Sequence, residues 1–203
     1  MTKKIMVLVL FTLFTISLAG CVAAESSEDP ERLNPTPVDV ANTEFTTETI
    51  ADLGVEVTYP ADWAYSKLSD ETTWISAKYG DTLDGDMGYQ VVIAYNEDPV
   101  DLELFAKVQA SPFAEMDKFE ILETGTAEIS GLEGRYQTLT WEAVDNSGEP
   151  LAQCYAQQYY TWFQGYNYII TIFTSGKETY DANLALIEYM ISELQLIDIT
   201  AAE

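Results

Sequence analysis

The chain has 203 residues, of which 47% are hydrophobic and 12% aromatic, and this composition is sufficient for the core of one domain. Acidic residues outnumber basic ones by 34 to 9, histidine is absent, and the net charge is −25. Such a charge disfavours nucleic acid as a partner, because binding to phosphates depends on Lys and Arg. The absence of histidine excludes Ser-His-Asp and Cys-His catalytic sets and the usual Cys/His zinc sites.

Residues 1–20 are predicted to be a signal peptide. Lys3 and Lys4 precede an apolar run that ends near Leu18, and this run is shorter than the roughly 20 apolar residues of a membrane-spanning helix. The segment L-A-G-C that ends at Cys21 resembles the lipobox of bacterial lipoproteins. The resemblance implies cleavage before Cys21 and acylation of that residue, with diacylglyceryl on its thiol and a fatty acid such as palmitate on its amine. We therefore expect a cell-membrane protein that is lipid-anchored and faces outside the cytoplasm.

Residues 21–44 are predicted to be a tether, because this segment contains three prolines, several acidic residues and few large apolar ones. Residues 45–200 are predicted to be one α+β domain. Within it, runs rich in β-branched and aromatic residues predict strands. These runs are 55–59, 73–79, 90–95, 119–129, 134–144, 152–163 and 166–174.

Both faces of the run 166–174 are apolar, so we expect cover on each side of an antiparallel sheet. A helix over 101–116 is predicted, broken near Pro112. Its expected inward side chains are Leu104, Phe105, Val108 and Phe113. A closing helix is predicted after Ser175, which together with Glu178 matches a capping box. Its expected apolar stripe consists of Tyr180, Leu184, Ile187, Ile191 and Leu194.

The segment G-V-E-V-T-Y-P-A-D-W, residues 54–63, closes a strand with Tyr59 and Pro60 and places Trp63 shortly after. This pattern, and the order of strands and helices after it, resembles the PsbP/Mog1/DcrB-like superfamily. The resemblance implies an antiparallel sheet between helices, an α/β/α sandwich. It also implies an accessory or binding role, since members include photosystem II extrinsic subunits, a Ran-binding nuclear import factor and bacterial envelope lipoproteins.

Few residues suggest a site. Asp81, Asp84 and Asp86 share one loop and are a weak candidate for calcium, because Ca²⁺ prefers oxygen ligands, although Asp-Gly pairs are also common in turns. Cys154 is predicted to be a buried small residue, with no partner in the chain once Cys21 is acylated, and the alternative is a redox or intermolecular-disulfide role. Most tyrosines and tryptophans of 155–168 are expected to pack in the core, with a minority exposed on one face as a binding platform.

These observations predict a membrane-tethered, extracytoplasmic accessory or interaction module that has no catalytic activity and no cofactor. Its partner would be an envelope protein. The alternative is a carrier or sensor for a small apolar or aromatic ligand, with aromatic strands lining a pocket. A carboxylate-based hydrolase is a third hypothesis, because 34 acidic residues ensure that some lie in close pairs.

Overall fold

The computed structural model describes residues 37–69, 72–76, 87–95, 99–111, 113–144 and 148–198. In these ranges the chain forms two antiparallel sheets. The smaller sheet has the order β1-β2-β10. Its strands are β1 (Phe45–Ile50), β2 (Val55–Pro60) and β10 (Gln195–Leu196).

The larger sheet has seven strands in the order β3-β4-β5-β9-β8-β7-β6. They are β3 (Ala64–Ser69), β4 (Thr72–Ser76), β5 (Met87–Tyr95), β6 (Asp117–Ile129), β7 (Leu132–Val144), β8 (Pro150–Phe163) and β9 (Tyr166–Ser175). Every predicted strand lies within or overlaps one of these elements. The prediction missed β1, β3 and β10, and it did not anticipate a second sheet.

Two tight turns set the register of the long strands. Gln164 and Gly165 connect β8 to β9 with φ values of 47° and 86°, and Ser130 and Gly131 connect β6 to β7 with φ values of 52° and 75°. Two consecutive positive φ angles match the twist of a two-residue hairpin. The predicted turn at Gln164-Gly165 is therefore confirmed.

Strand β9 lies in the interior of the large sheet, and both of its faces are buried. Tyr168, Ile170 and Ile172 pack in a core shared with the small sheet, whereas Ile169 and Phe173 contact separate clusters on the opposite face. A strand buried on both sides needs a layer on each side. The predicted α+β fold with cover on both faces is confirmed, with the small sheet forming part of one cover.

Helix α1 (Leu102–Ala110) covers one face of the large sheet at β7 and β8. Asp101 caps its first turn, since the carboxylate accepts hydrogen bonds from two backbone N–H groups of that turn. The predicted inward stripe was wrong for Leu104 and Val108, which are 61% and 51% exposed. Phe105 contacts the sheet and Phe113 is buried, as predicted. The buried side chains of α1 itself are smaller or polar. They are Ala106, Gln109 and Ala110.

A buried amide network explains why a small-residue face packs here. Gln137 Nε2 of β7 donates to Tyr160 Oη at 2.6 Å and lies 3.3 Å from the backbone oxygen of Ala106 in α1. Tyr160 Oη in turn donates to Gln158 Oε1 at 2.6 Å. Small side chains on α1 allow the helix backbone to approach the sheet closely enough for this contact.

The C-terminal helical region contains two helices rather than the one predicted. Helix α2 (Lys177–Ala182) is followed by α3 (Leu184–Ser192), with Asn183 at the junction. The predicted capping box is wrong, because Ser175 extends β9 and Gly176 stands at the N-cap with φ of 82°. Leu184 is exposed, contrary to the predicted stripe. Of that stripe, Ile187, Ile191 and Leu194 are buried as predicted, together with Leu186 and Met190.

Specific hydrogen bonds join the two sheets. The Tyr168 hydroxyl of β9 donates to the Leu53 carbonyl oxygen, beside the small sheet, at 2.9 Å. The backbone N–H of Leu196 donates to Ser130 Oγ at the β6–β7 turn. The segment before β1 is also attached, since Val38 N–H donates to Asn183 Oδ1 at 3.1 Å and the Val38 side chain packs on the shared core.

We predict that Tyr168→Phe destabilises the fold by about 1–3 kcal/mol, because the Leu53 carbonyl oxygen loses a buried donor. Burial, and then the neighbouring Tyr166, raises the pKa of Tyr168 from 10.0 to about 12. A raised pKa in the folded state stabilises the fold below pH 10 and loses that contribution as the pH approaches 12. Urea unfolding of Tyr168→Phe should therefore show a shallower alkaline loss of stability than the wild type.

The control for this prediction is Tyr189→Phe, at a partly exposed tyrosine of α3. We expect it to leave the stability nearly unchanged, since this side chain is partly exposed. Equal profiles for Tyr168→Phe and the wild type would contradict the assigned role of the Tyr168 hydroxyl.

Candidate functional site

The residues singled out in the sequence as attachment or ion sites lie outside the described residues. This applies to Cys21 and to the loop with Asp81, Asp84 and Asp86. Within the described ranges, no three Cys, Asp or Glu side chains are grouped so that they could hold a metal ion. In the same part of the chain, no helix is both long and apolar enough to cross a membrane.

The predicted core role of the aromatic strands is confirmed. Tyr155, Tyr159, Tyr160 and Tyr168 are all at most 6% exposed. Trp162 and Tyr166 are partly exposed near the β8–β9 turn. The sequence prediction did not identify the tyrosines that bring an aromatic group to the surface elsewhere.

Those tyrosines are Tyr136 and Tyr180, and together with the buried Tyr155 and Tyr159 they form what we call the tyrosine surface. The rings of Tyr155 and Tyr180 stack with centroids 5.5 Å apart, and those of Tyr136 and Tyr159 lie 6.1 Å apart. Three members come from β7 and β8, and Tyr180 comes from α2. Because Tyr136 and Tyr180 are partly exposed, the stacked rings reach solvent on this face of the sheet.

A glycine of the edge strand fixes the position of Tyr136. Gly125 of β6 lies directly opposite Tyr136 of β7, and a Cβ placed on Gly125 would lie 2.5 Å from Cε1 of the Tyr136 ring. The ring therefore lies over the bare backbone of β6. This position lets the Tyr136 hydroxyl donate to Glu123 Oε1 at 2.6 Å. A glycine opposite a tyrosine indicates this ring position in the sequence. The pair can be recognised only when the register of β6 with β7 is known.

The environment keeps the phenols of Tyr136, Tyr159 and Tyr180 protonated. Burial is the main cause that raises the pKa of Tyr159, and it also raises that of Tyr180. The pKa of Tyr136 is raised chiefly by its hydrogen bond to Glu123. At neutral pH these three residues thus offer ring faces and neutral hydroxyls rather than phenolate nucleophiles.

Cys154 is fully buried in β8, as predicted, and packs with Trp141 and Phe173. Cys154 is disulfide-bonded in the structure, whereas the sequence predicts no partner for it in a chain whose Cys21 is acylated. It is therefore not a reactive thiol in this state.

The exposed edge of the large sheet adjoins the tyrosine surface. Strand β6 has mostly exposed side chains, including the carboxylates of Glu120, Glu123 and Glu128. Two lysines of the described surface already form ion pairs with carboxylates of the same chain. Lys107 pairs with Glu103 at 2.8 Å, and Lys118 pairs with Glu142 at 2.5 Å.

No family model and no curated protein matches the chain. Solved structures do match. The Saccharomyces cerevisiae Ran-binding protein Mog1p aligns with 78% of this chain and 98% of its own at 11% identity and a TM-score of 0.55. LpqN of Mycobacterium tuberculosis, described as involved in cell envelope biogenesis, aligns with 80% of this chain and 90% of its own at 10% identity and a TM-score of 0.51. Cyanobacterial PsbP from Synechocystis aligns with 78% of this chain and 95% of its own at 16% identity and a TM-score of 0.48.

These identities establish a likeness of fold alone. The chain has a PsbP/Mog1-like α+β fold, as the Tyr59-Pro60 and Trp63 pattern predicted. In the structure this pattern is part of the core, because Tyr59 and Trp63 are buried and the Trp63 N–H donates to the Pro60 carbonyl oxygen.

We predict that Gly125→Ala displaces the Tyr136 ring and costs about 1–3 kcal/mol of stability through overpacking at the edge. In a Tyr136→Ala background the same Gly125→Ala change should cost much less, because the clash is gone. A double-mutant cycle measured by urea unfolding tests this coupling. Thr126→Ala, one residue along β6, is the control, and additive effects of the paired changes would refute the contact.

Proposed function

We propose that the chain is a lipid-anchored, extracytoplasmic accessory module that acts by binding an envelope protein and has no catalytic activity of its own. The main support is the order of its parts, with a basic segment, a short apolar run and L-A-G-C at residues 18–21 preceding a PsbP/Mog1-like domain. This order is typical of an exported domain that remains at the membrane.

The comparisons support a binding role by analogy. Mog1p is a Ran-binding protein, and LpqN is involved in cell envelope biogenesis. Neither relation transfers a partner to this chain, because one fold serves many functions. What they support is the general expectation of a domain that works through contacts with another protein.

The charge of the domain restricts the class of partner. With 34 acidic and 9 basic residues, the chain repels acidic surfaces and attracts basic ones over distances near the Debye length, about 8 Å at physiological salt. A partner with a basic contact region would associate faster and bind more specifically than a neutral one. The tyrosine surface adds ring faces of the kind that dominate binding energy at interfaces.

Cys21→Ser tests the anchor. We expect the variant to lose incorporation of labelled fatty acid and to leave the membrane fraction, because diacylglyceryl attachment requires the thiol. Lys4→Ala is the control and should keep the label, since one basic residue remains before the apolar run. Continued labelling of Cys21→Ser would contradict the anchor.

Intact mass of the mature wild-type chain gives a second test of the same site. The chain has two cysteines, so a lipid thioether at Cys21 and an intrachain disulfide at Cys154 exclude each other in one molecule. A mass increased by diacylglyceryl supports the proposal. A mass lowered by the two hydrogens of a disulfide, without added lipid, would contradict it.

Crosslinking in intact cells tests the binding role. A photo-crosslinking amino acid at position 180, on the tyrosine surface, should capture a specific envelope protein, because Tyr180 is partly exposed beside Tyr155. The matched control places the same amino acid at Thr49, an exposed site on the small sheet. Equal capture patterns at the two positions would contradict a specific interface.

A further inference from the structure

The open edge of β6 has backbone groups available for pairing. Among the residues that the structure describes, the 13-residue strand β6 pairs with β7 alone, through ten residue pairs. Residues that flank a two-residue turn form a hydrogen-bonded pair, and hydrogen-bonded and non-bonded pairs then alternate. Ile129 flanks such a turn, so Thr124, Thr126 and Glu128 direct their N–H and C=O groups away from β7 and towards the open edge.

The side chains along this edge have two characters. Glu120, Glu123 and Glu128 are exposed carboxylates. Between the first two, Ile121 and Leu122 are 44% and 49% exposed, where the register with β7 shifts at a bulge. Charges and bulges are common devices that keep an edge strand from pairing. The two adjacent exposed apolar residues have the opposite effect, since they lower the cost of covering the edge.

We propose that β6 between Glu120 and Glu128 accepts an extended segment of the partner protein as an added strand, and that this segment alternates basic with apolar residues. The inference rests on the proposed binding function and specifies the chemistry of its partner. Charge complementarity selects this occupant. An acidic segment, including the chain's own residues 22–44, would be repelled by the three carboxylates.

The neighbouring tyrosine surface supplies the contact for one basic side chain. Glu123 accepts from the Tyr136 hydroxyl at 2.6 Å and keeps other lone pairs free. A Lys or Arg that enters beside β6 on the same face would meet this carboxylate together with the Tyr136 ring, which is a cation–π arrangement. On the same strand, Ile121 and Leu122 would be covered by an apolar residue of the segment. Added strands commonly gain affinity from the backbone and specificity from such alternate side chains.

The test uses the full chain in detergent and a synthetic peptide of alternating lysine and valine that spans Glu120 to Glu128. We expect saturable binding and slowed hydrogen exchange at the outward amides of Thr124, Thr126 and Glu128. A second peptide with glutamate in place of lysine should not bind. A third, with the lysines kept and proline at alternate positions, should bind weakly because it cannot pair as a strand.

Two variants at one position separate backbone pairing from charge attraction. Thr126→Pro removes an outward N–H while sparing the ladder to β7, and it should weaken binding of the lysine–valine peptide about five- to tenfold. Thr126→Val keeps the N–H and should bind like the wild type. Urea unfolding verifies that both variants remain folded.

Equal affinity of Thr126→Pro and Thr126→Val, or binding without protection of the three amides, would overturn the proposal in favour of charge attraction alone. Absence of binding by the lysine–valine peptide would also overturn it. These results are independent of lipid labelling at Cys21. A negative result at β6 therefore does not contradict the lipid anchor, and loss of the lipid anchor does not contradict strand addition at β6.

Discussion

The burial of β9 on both faces is the constraint on which the rest of the structure depends. Tyr168, Ile170 and Ile172 point into one core and Ile169 and Phe173 into the other, so the strand is stable only between two layers. The small sheet with α3 supplies one layer, and α1 with the following turn at Phe113 supplies the other. Because no position of β9 from 167 to 174 can be exposed without losing a buried side chain, its neighbours in the sheet are fixed as well.

The positions of most strands and of the main helices were predictable from the sequence where one signal dominated. Alternation and β-branched residues located β5 to β9, and Gln164-Gly165 located a hairpin. The prediction failed where packing reversed the hydrophobic pattern. In α1 the fully buried residues are small or polar because Gln137 reaches the helix backbone, and the larger Leu104 and Val108 face solvent. A hydrophobicity pattern does not reveal that the helix backbone must approach Gln137.

The tyrosine surface was even harder to predict from the sequence. Tyr136 acquires its role from lying opposite Gly125, and Glu123 acquires its role from the hydroxyl that reaches it, so both depend on the register of β6 with β7. That register shifts at two bulges, which one sequence cannot reveal. The absence of histidine, by contrast, was decisive at once, because it removed whole classes of catalytic and zinc sites without any geometry. Composition excluded functions here more effectively than it identified one.

The attachment of Val38 to Asn183 has a mechanical consequence. Asn183 is buried at the junction of α2 and α3, where its amide also donates to the Thr179 carbonyl oxygen. A chain held at its N-terminus would therefore transmit tension first to this junction, ahead of β1. The hydrogen bond at Val38 would yield before the six paired residues of β1 and β2 are loaded. Residues 37–44 would thus be released while the sheets remain intact.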